Sequence, residues 1–245
     1  MKCNLNCDMG ESFGLYKMGD DAGIMPHITQ ANVACGFHAS DPNHMRNTVE
    51  LAKKHGVAVG AHPSLPDLAG FGRREMKMER EELLNIVLYQ VGALCAFLRQ
   101  ADMPLSHIKP HGSLYGMAAR DAEIAEALAD AACVYGVPVF GLPGTLHEEV
   151  YTRRNVRFIP EFFADLDYND EGGLVITREH KHVEPEDAAR RVRQLINEGT
   201  LTTAGGGVLP TKAETVCVHS DTPNAVEIAA AVRNALGNPK PEKTS

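Results

Sequence analysis

Acidic and histidine side chains recur in this sequence at the ends of short apolar runs. Asp8 and Glu11 follow the first run, His38 and Asp41 the second, His62 and Asp67 the third, and His111 the fourth. Glu161 and Asp165 stand at the sixth run, His219 and Asp221 at the seventh. Carboxylates and imidazoles brought together near neutral pH can take up and release protons during a reaction. Four of the eleven histidines fall just past an apolar run or on its last residue, which chance placement does rarely.

Each residue alone has a plainer explanation. A lone histidine after a strand is more often a cap or a core group than a catalyst. Asp41 and Asp221 read as helix N-caps, since Pro42 and Pro223 stand where a first helical turn tolerates proline. His27, His44, His55, His107, His147, His180 and His182 read as ordinary surface or loop histidines. Glycine and proline mark the same run ends, in Cys35-Gly36-Phe37-His38, Gly60-Ala61-His62-Pro63 and Lys109-Pro110-His111-Gly112. They allow a close backbone approach and stiffen the turn. Gly141-Leu142-Pro143-Gly144 serves turn chemistry equally well.

The elements that must position these groups alternate. Apolar patterns predict strands over 3–8, 28–35, 57–61, 106–109, 137–141, 156–162 and 215–219. Helical patterns lie near 43–55, 79–101, 121–135, 145–153, 185–198 and 223–236. Leu83, Leu84, Val87, Leu88, Val91, Leu94, Cys95 and Leu98 carry the helical spacing of the second. Such alternation implies parallel strands joined by crossover helices. Both a barrel and an open doubly wound sheet are built of these units. Seven strands favour a distorted seven-stranded α/β barrel over residues 1–236, with 237–245 as a loose polar tail. In either fold the strands' C-terminal ends share one face, and the dispersed residues converge there.

The chain has 245 residues, 44 % of them hydrophobic and 23 % charged, enough for a packed core. Its net charge of −8 leaves no electrostatic footprint for nucleic acid. No apolar run predicts a membrane span, and 1–11 lacks the apolar centre of a leader. Six irregularly spaced cysteines without a Cys-x-x-Cys pair read as reduced thiols in a cytoplasm. Phosphate-loop, dinucleotide and nucleophile-elbow signatures are absent: Gly205-Gly206-Gly207 precedes Lys212 without the required glycine.

Several blocks together resemble the LamB/YcsF family. They are 4–11 (Asn-Leu-Asn-Cys-Asp-Met-Gly-Glu), 31–39 (Ala-Asn-Val-Ala-Cys-Gly-Phe-His-Ala) and 60–64 (Gly-Ala-His-Pro-Ser). Phe71-Gly72-Arg73, 89–94, 107–112 (His-Ile-Lys-Pro-His-Gly), 161–165 and 215–219 continue the match to about residue 236. Two positions depart from the family's pattern as we read it: Leu166 replaces an arginine, and Gln30 a serine.

The resemblance implies a seven-stranded barrel of the glycoside hydrolase/deacetylase type. It also implies ATP-dependent opening of 5-oxoproline to glutamate with two partner subunits, B and C. An unstrained lactam is resonance-stabilised and needs an activated carbonyl, and the missing phosphate loop gives ATP handling to the partners. On this reading Asp8 or Glu161 activates water, and His38, His62 and His111 bind the activated group or shuttle protons. Lys109 neutralises oxyanion or phosphate charge. Glu11, Arg73, Asp165, Arg178 and His219 are the expected substrate contacts, with Arg178 or Lys109 taking over the carboxylate from the missing cation at 166. Metal-free chemistry is expected; were a divalent ion present, Asp8, His38 and His62 would ligate it. Two other readings stay open, a stand-alone metal-dependent deacetylase or amidohydrolase and a non-catalytic regulatory subunit.

Overall fold

The structure, a computed structural model, describes residues 3–177 and 181–237. Seven parallel strands close a barrel: β1 (Asn4–Met9), β2 (Gln30–Ala34), β3 (Ala58–His62), β4 (Leu105–Ile108), β5 (Val139–Gly141), β6 (Phe158–Phe163) and β9 (Thr215–His219). β9 lies between β6 and β1, with Asp8 beside His219 and Glu161 beside Thr215. The helices are α1 (Asp21–Ile24), α2 (Pro42–His55), α3 (Arg80–Gln100), α4 (Gly112–Ala118), α5 (Ala122–Tyr135), α6 (Leu146–Arg153), α7 (Pro185–Glu198) and α8 (Ala225–Ala235). Between α7 and the last barrel strand an antiparallel hairpin is inserted, β7 (Thr200–Thr202) with β8 (Val208–Pro210).

Every expected strand is present within about two residues of its sequence bounds. α2 starts and stops as its sequence predicts. Asp41 Oδ1 accepts the Asn43 and His44 N–H groups, Pro42 opens the helix, and Gly56 closes it at φ +68°. The corresponding reading of Asp221 is wrong. Asn224 occupies the cap of α8, and Asp221 instead pairs with Arg73 at 2.8 Å. α1, the seven-residue α4 and the β7–β8 hairpin were not anticipated.

α3 departs from the sequence reading in another way. By length and composition alone its 21 residues could cross a membrane. Here Leu83, Val87, Val91, Leu94 and Leu98 form one buried stripe against the barrel, and Gln90 on that stripe donates to the Ser64 carbonyl at 2.8 Å. A stripe with polar residues between its turns is the pattern of a helix packed on a core.

Strand alternation puts two kinds of residue on the two faces of the barrel wall. Leu5, Cys7, Ala31, Val33, Val59, Ala61, Ile108, Val216 and Val218 pack outward in the hydrophobic core, with the helices. Asn6, Asp8, Asn32, His62, His107, Lys109, Glu161, Thr215 and His219 are buried with them yet polar. His107 lies flat on Phe140, ring centroids 3.9 Å apart. A Cβ on Gly60 would come within 2.2 Å of the His107 ring, so only glycine fits opposite it. His107 and His147, read from sequence as surface groups, are fully buried, and burial pulls each down to about 3. His180 lies outside the described residues, as do 238–245 of the expected tail. All six cysteines are free thiols.

Candidate active site

The polar groups form one connected cluster. Asn6 Nδ2 donates to Glu161 Oε1 and to Thr215 Oγ1, both at 2.9 Å. Asn32 Nδ2 donates to Asn6 Oδ1 at 2.7 Å and to Asp8 Oδ1 at 2.8 Å, and Asn32 Oδ1 lies 2.7 Å from His107 Nε2. Above this layer, the Lys109 ammonium donates to Asp8 Oδ1 at 2.8 Å and to Cys217 Sγ at 2.9 Å, and lies 3.2 Å from Glu161 Oε1.

Two carboxylates and one ammonium, all buried, fix each other's charge. Burial pushes the Asp8 carboxyl up, but its contacts with His62 and Lys109 prevail and hold it well below the ordinary range. Burial likewise opposes the Lys109 charge, yet Asp8, Cys217 and Glu161 raise the amine well above its usual value. Asp8 is therefore ionised and Lys109 cationic at neutral pH.

The histidines surround Asp8. His62 Nε2 lies 3.2 Å and His219 Nε2 3.6 Å from Asp8 Oδ2. The Asp165 carboxylate accepts the His219 backbone N–H at 2.7 Å and faces its Nδ1 at 3.0 Å. Burial would discharge His219, but Asp165 outweighs it and raises the imidazole. His38 stacks on His111, ring centroids 3.7 Å apart and planes within 7°, while its Nε2 lies 3.0 Å from Glu11 Oε1. Burial and neighbouring histidines push both His38 and His111 well down. Glu11 is driven well above the ordinary carboxylate range, first by burial and then by Asp221 and Asp8.

One turn holds these rings in place. Phe71, at φ +55°, aims its carbonyl at His111 Nε2, 2.8 Å away. The next residue, Gly72, lies so close to Ser64, His111 and His38 that a Cβ would approach their atoms to 2.2–2.9 Å. Ser113 N–H then donates to the Gly72 carbonyl at 2.9 Å, tying the start of α4 to the same turn.

A small cavity of about 30 Å³ opens on this cluster, with Asp8, His62, Lys109, His111, Arg73 and His219 around its polar side. Tyr115, Phe163, Leu166, Leu174 and Ile176 close its apolar side. Arg73 also lines a neighbouring cavity of about 830 Å³ beside Lys17, Ser220 and Asp221. Of the residues expected from sequence, Asp8, His62, Lys109, His111, Arg73 and His219 face the small cavity. His38, Glu11, Glu161 and Asp165 lie one contact behind them. Arg178 lies outside the described residues. Asp67 is occupied elsewhere, bound to Arg74 and to the Gly70 N–H. Asn6, Asn32, His107, Cys217 and Tyr115 were missed. The alternation 6/8, 107/109 and 215/217/219 was available to find most of them.

Metal-free chemistry is expected from the sequence, with Asp8, His38 and His62 as ligands only were an ion present; the structure gathers possible ligand atoms in two other groups. Ligand atoms of Glu11, His38, His62 and His111 lie within 4.8 Å of one another, and those of Asp8, Cys217 and His219 form a second such group.

A closed parallel barrel with an ionised acid, a buried lysine and histidines gathered at its strand ends defines the chain as an α/β-barrel protein with one polar strand-end cluster. The chain belongs to the LamB/YcsF family, whose model matches residues 3–244. It is 48 % identical over 240 residues to the A subunit of a 5-oxoprolinase from Thermus thermophilus, covering 96 % of each chain. It is 45 % identical over 239 residues to the lactam utilization protein lamB of Emericella nidulans, covering 96 % of this chain and 94 % of that one. The crystal structure of a lactam utilization protein from Thermus thermophilus superposes with a TM-score of 0.90 at 46 % identity, covering 97 % and 96 % of the two chains.

Proposed function

We propose that this chain, as a single barrel domain, is the cytoplasmic hydrolase component that opens 5-oxoproline to glutamate. It acts with ATP and with partner subunits B and C. The relatives' names support the lactam class. The observation that carries the reading is the Asp8–Lys109 pair, 2.8 Å apart, facing the cavity with His62 and His111 beside it.

The chemistry follows from what a lactam lacks. Its carbonyl carbon is a poor electrophile, so a phosphoryl group from ATP is placed on the carbonyl oxygen. One water then adds to that carbon, and the C–N bond breaks as the ring nitrogen takes a proton. A second water releases phosphate from the acyl phosphate so formed. Asp8, held ionised, accepts the proton of the attacking water. Lys109 meets the negative charge that builds on oxygen. Glu161 lies behind Lys109 and keeps the amine charged, so Asp8 is the better candidate base. Arg73, which lines the cavity, is our choice for the cation that holds the substrate carboxylate. The missing phosphate loop assigns ATP to the partner subunits.

The test is glutamate release from 5-oxoproline with ATP, with and without partners B and C. The isolated chain is expected to do neither reaction, and the complete system both. In that system His111→Ala should cut glutamate formation about a hundredfold or more, the scale of losing a positioned acid–base group, and ATP consumption less. Robust lactam opening by the lone chain, or none by the complete system, would overturn the reading.

A further inference from the structure

Two imidazoles in this site face each other nitrogen to nitrogen. His62 Nδ1 lies 2.7 Å from the Lys109 carbonyl oxygen, and His111 Nε2 lies 2.8 Å from the Phe71 carbonyl oxygen. A carbonyl can only accept, so each of those nitrogens carries the hydrogen. The opposite nitrogens, His62 Nε2 and His111 Nδ1, are then the ones available to offer an electron pair to an ion, and they lie 3.0 Å apart. Glu11 Oε1 stands 3.5 Å from His111 Nδ1, and Asp8 Oδ2 lies 3.2 Å from His62 Nε2. Electron-pair donors from separate strand ends thus converge on one point. A shared proton can bridge only two of them.

We infer that Glu11, His62 and His111 form a binding site for a divalent first-row transition ion such as Zn²⁺. Metal bonds of about 2.1 Å put neighbouring tetrahedral ligands about 3.4 Å apart, which the 3.0 and 3.5 Å separations bracket. The backbone carbonyls that fix both ring orientations are the outer partners a ligating histidine uses. The Phe71–Gly72 turn, with its left-handed backbone, supplies one of them.

His38 is not a fourth ligand, although it lies within reach. A ring nitrogen's electron pair lies in the ring plane. Rings stacked 3.7 Å apart at 7° cannot both aim in-plane at one ion, so His38 and His111 do not share it. With Glu11 ligating as the carboxylate, His38 Nε2, 3.0 Å from Oε1, is placed to carry the hydrogen, donate to it and orient it, leaving the other electron pair for the ion. This site stands independently of the lactam reading, because it is read by binding and not by turnover.

The experiment uses the full chain, stripped with a chelator and titrated with Zn²⁺ by calorimetry and with Co²⁺ by visible absorption. One equivalent is expected per chain, with a rise in Tm. His62→Ala and His111→Ala should abolish stoichiometric uptake, and Glu11→Gln, which keeps the side-chain volume, should weaken it. His38→Asn should weaken affinity about 10- to 100-fold while keeping one equivalent, the usual effect of an outer partner. Cys217→Ser should leave uptake unchanged, setting aside the Asp8–Cys217–His219 group. If the alanine variants do not fold, Glu11→Gln and the native titration decide. Failure of the native chain to take up either ion stoichiometrically would overturn the site and leave a proton between the two rings. So would undiminished binding in Glu11→Gln together with the folded histidine variants.

Discussion

The Lys109 ammonium sits 2.8 Å from Asp8 Oδ1 inside the barrel, and neither side chain is more than 4 % exposed. Glu161 shares the same ammonium at 3.2 Å. One cation therefore compensates two buried carboxylates. Lys109→Met removes it while nearly keeping the volume. Breaking a buried pair from one side costs about 3–5 kcal/mol, because the stranded charge stays desolvated. Urea unfolding of the variant should show a loss of that size, and a loss under about 1 kcal/mol would mean the pair is not ionised.

Asp8 and Glu161 contact the same lysine, yet only Asp8 faces the cavity. Asp8→Asn should lower kcat in the complete system about a hundredfold or more, the scale of a lost general base. Glu161→Gln should act mainly on stability, since Glu161 Oε1 accepts from Asn6 and supports Lys109 from behind. Equal kcat losses in the two variants would remove the distinction between base and support.

Much of this site was legible before any coordinates. Asp8, His62, Lys109, His111 and His219 end or follow apolar runs, and strand ends in a parallel barrel can only meet at one face. What the runs hid was the layer beneath. Asn6, Asn32 and His107 lie within strands that read as apolar, because a barrel interior with a polar network breaks the rule that buried means hydrophobic. Asp221 was misread because a local proline signal suggested a cap, while its partner Arg73 is far away in sequence. α4 is too short to show a helical period, and its position follows from the His111 turn.

Arg73 and Leu166 line the same small cavity, where the proposed function would set substrate choice. Leu166 stands where the resemblance led us to expect arginine; among the described residues Arg73 and Lys109 are the cations lining the cavity, and with Lys109 held by Asp8 we assign the substrate carboxylate to Arg73. Arg73→Ala should raise KM for 5-oxoproline more than it lowers kcat, the sign of lost uniform binding. Leu166→Arg should lower KM for the acidic lactam relative to a neutral lactam of the same ring size. Asp221→Asn is the control, because it removes the Arg73 ion pair without removing the cation. An unchanged KM in Arg73→Ala would take that residue out of recognition.

Stability should fall as pH rises through the titration of Asp21. Its carboxyl is buried beside Gly10, accepting that residue's N–H at 2.9 Å, and its Oδ1 has no hydrogen-bond partner among the described residues. Burial raises it from 3.8 to about 6, against the Gly10 and Thr48 hydrogen bonds that lower it. Between these two values the folded chain binds a proton that the unfolded chain has released. Stability from this group is therefore complete below the unfolded pKa and is lost as pH climbs through about 6. Glu11 is raised in the same direction. Asp21→Asn keeps an acceptor for the Gly10 N–H but cannot ionise. Its Tm should change less than that of the native chain between about pH 4 and pH 7, and should exceed it at the upper end. Parallel Tm curves for the two proteins across that range would mean that Asp21 does not titrate there, and that the slope arises at another carboxyl.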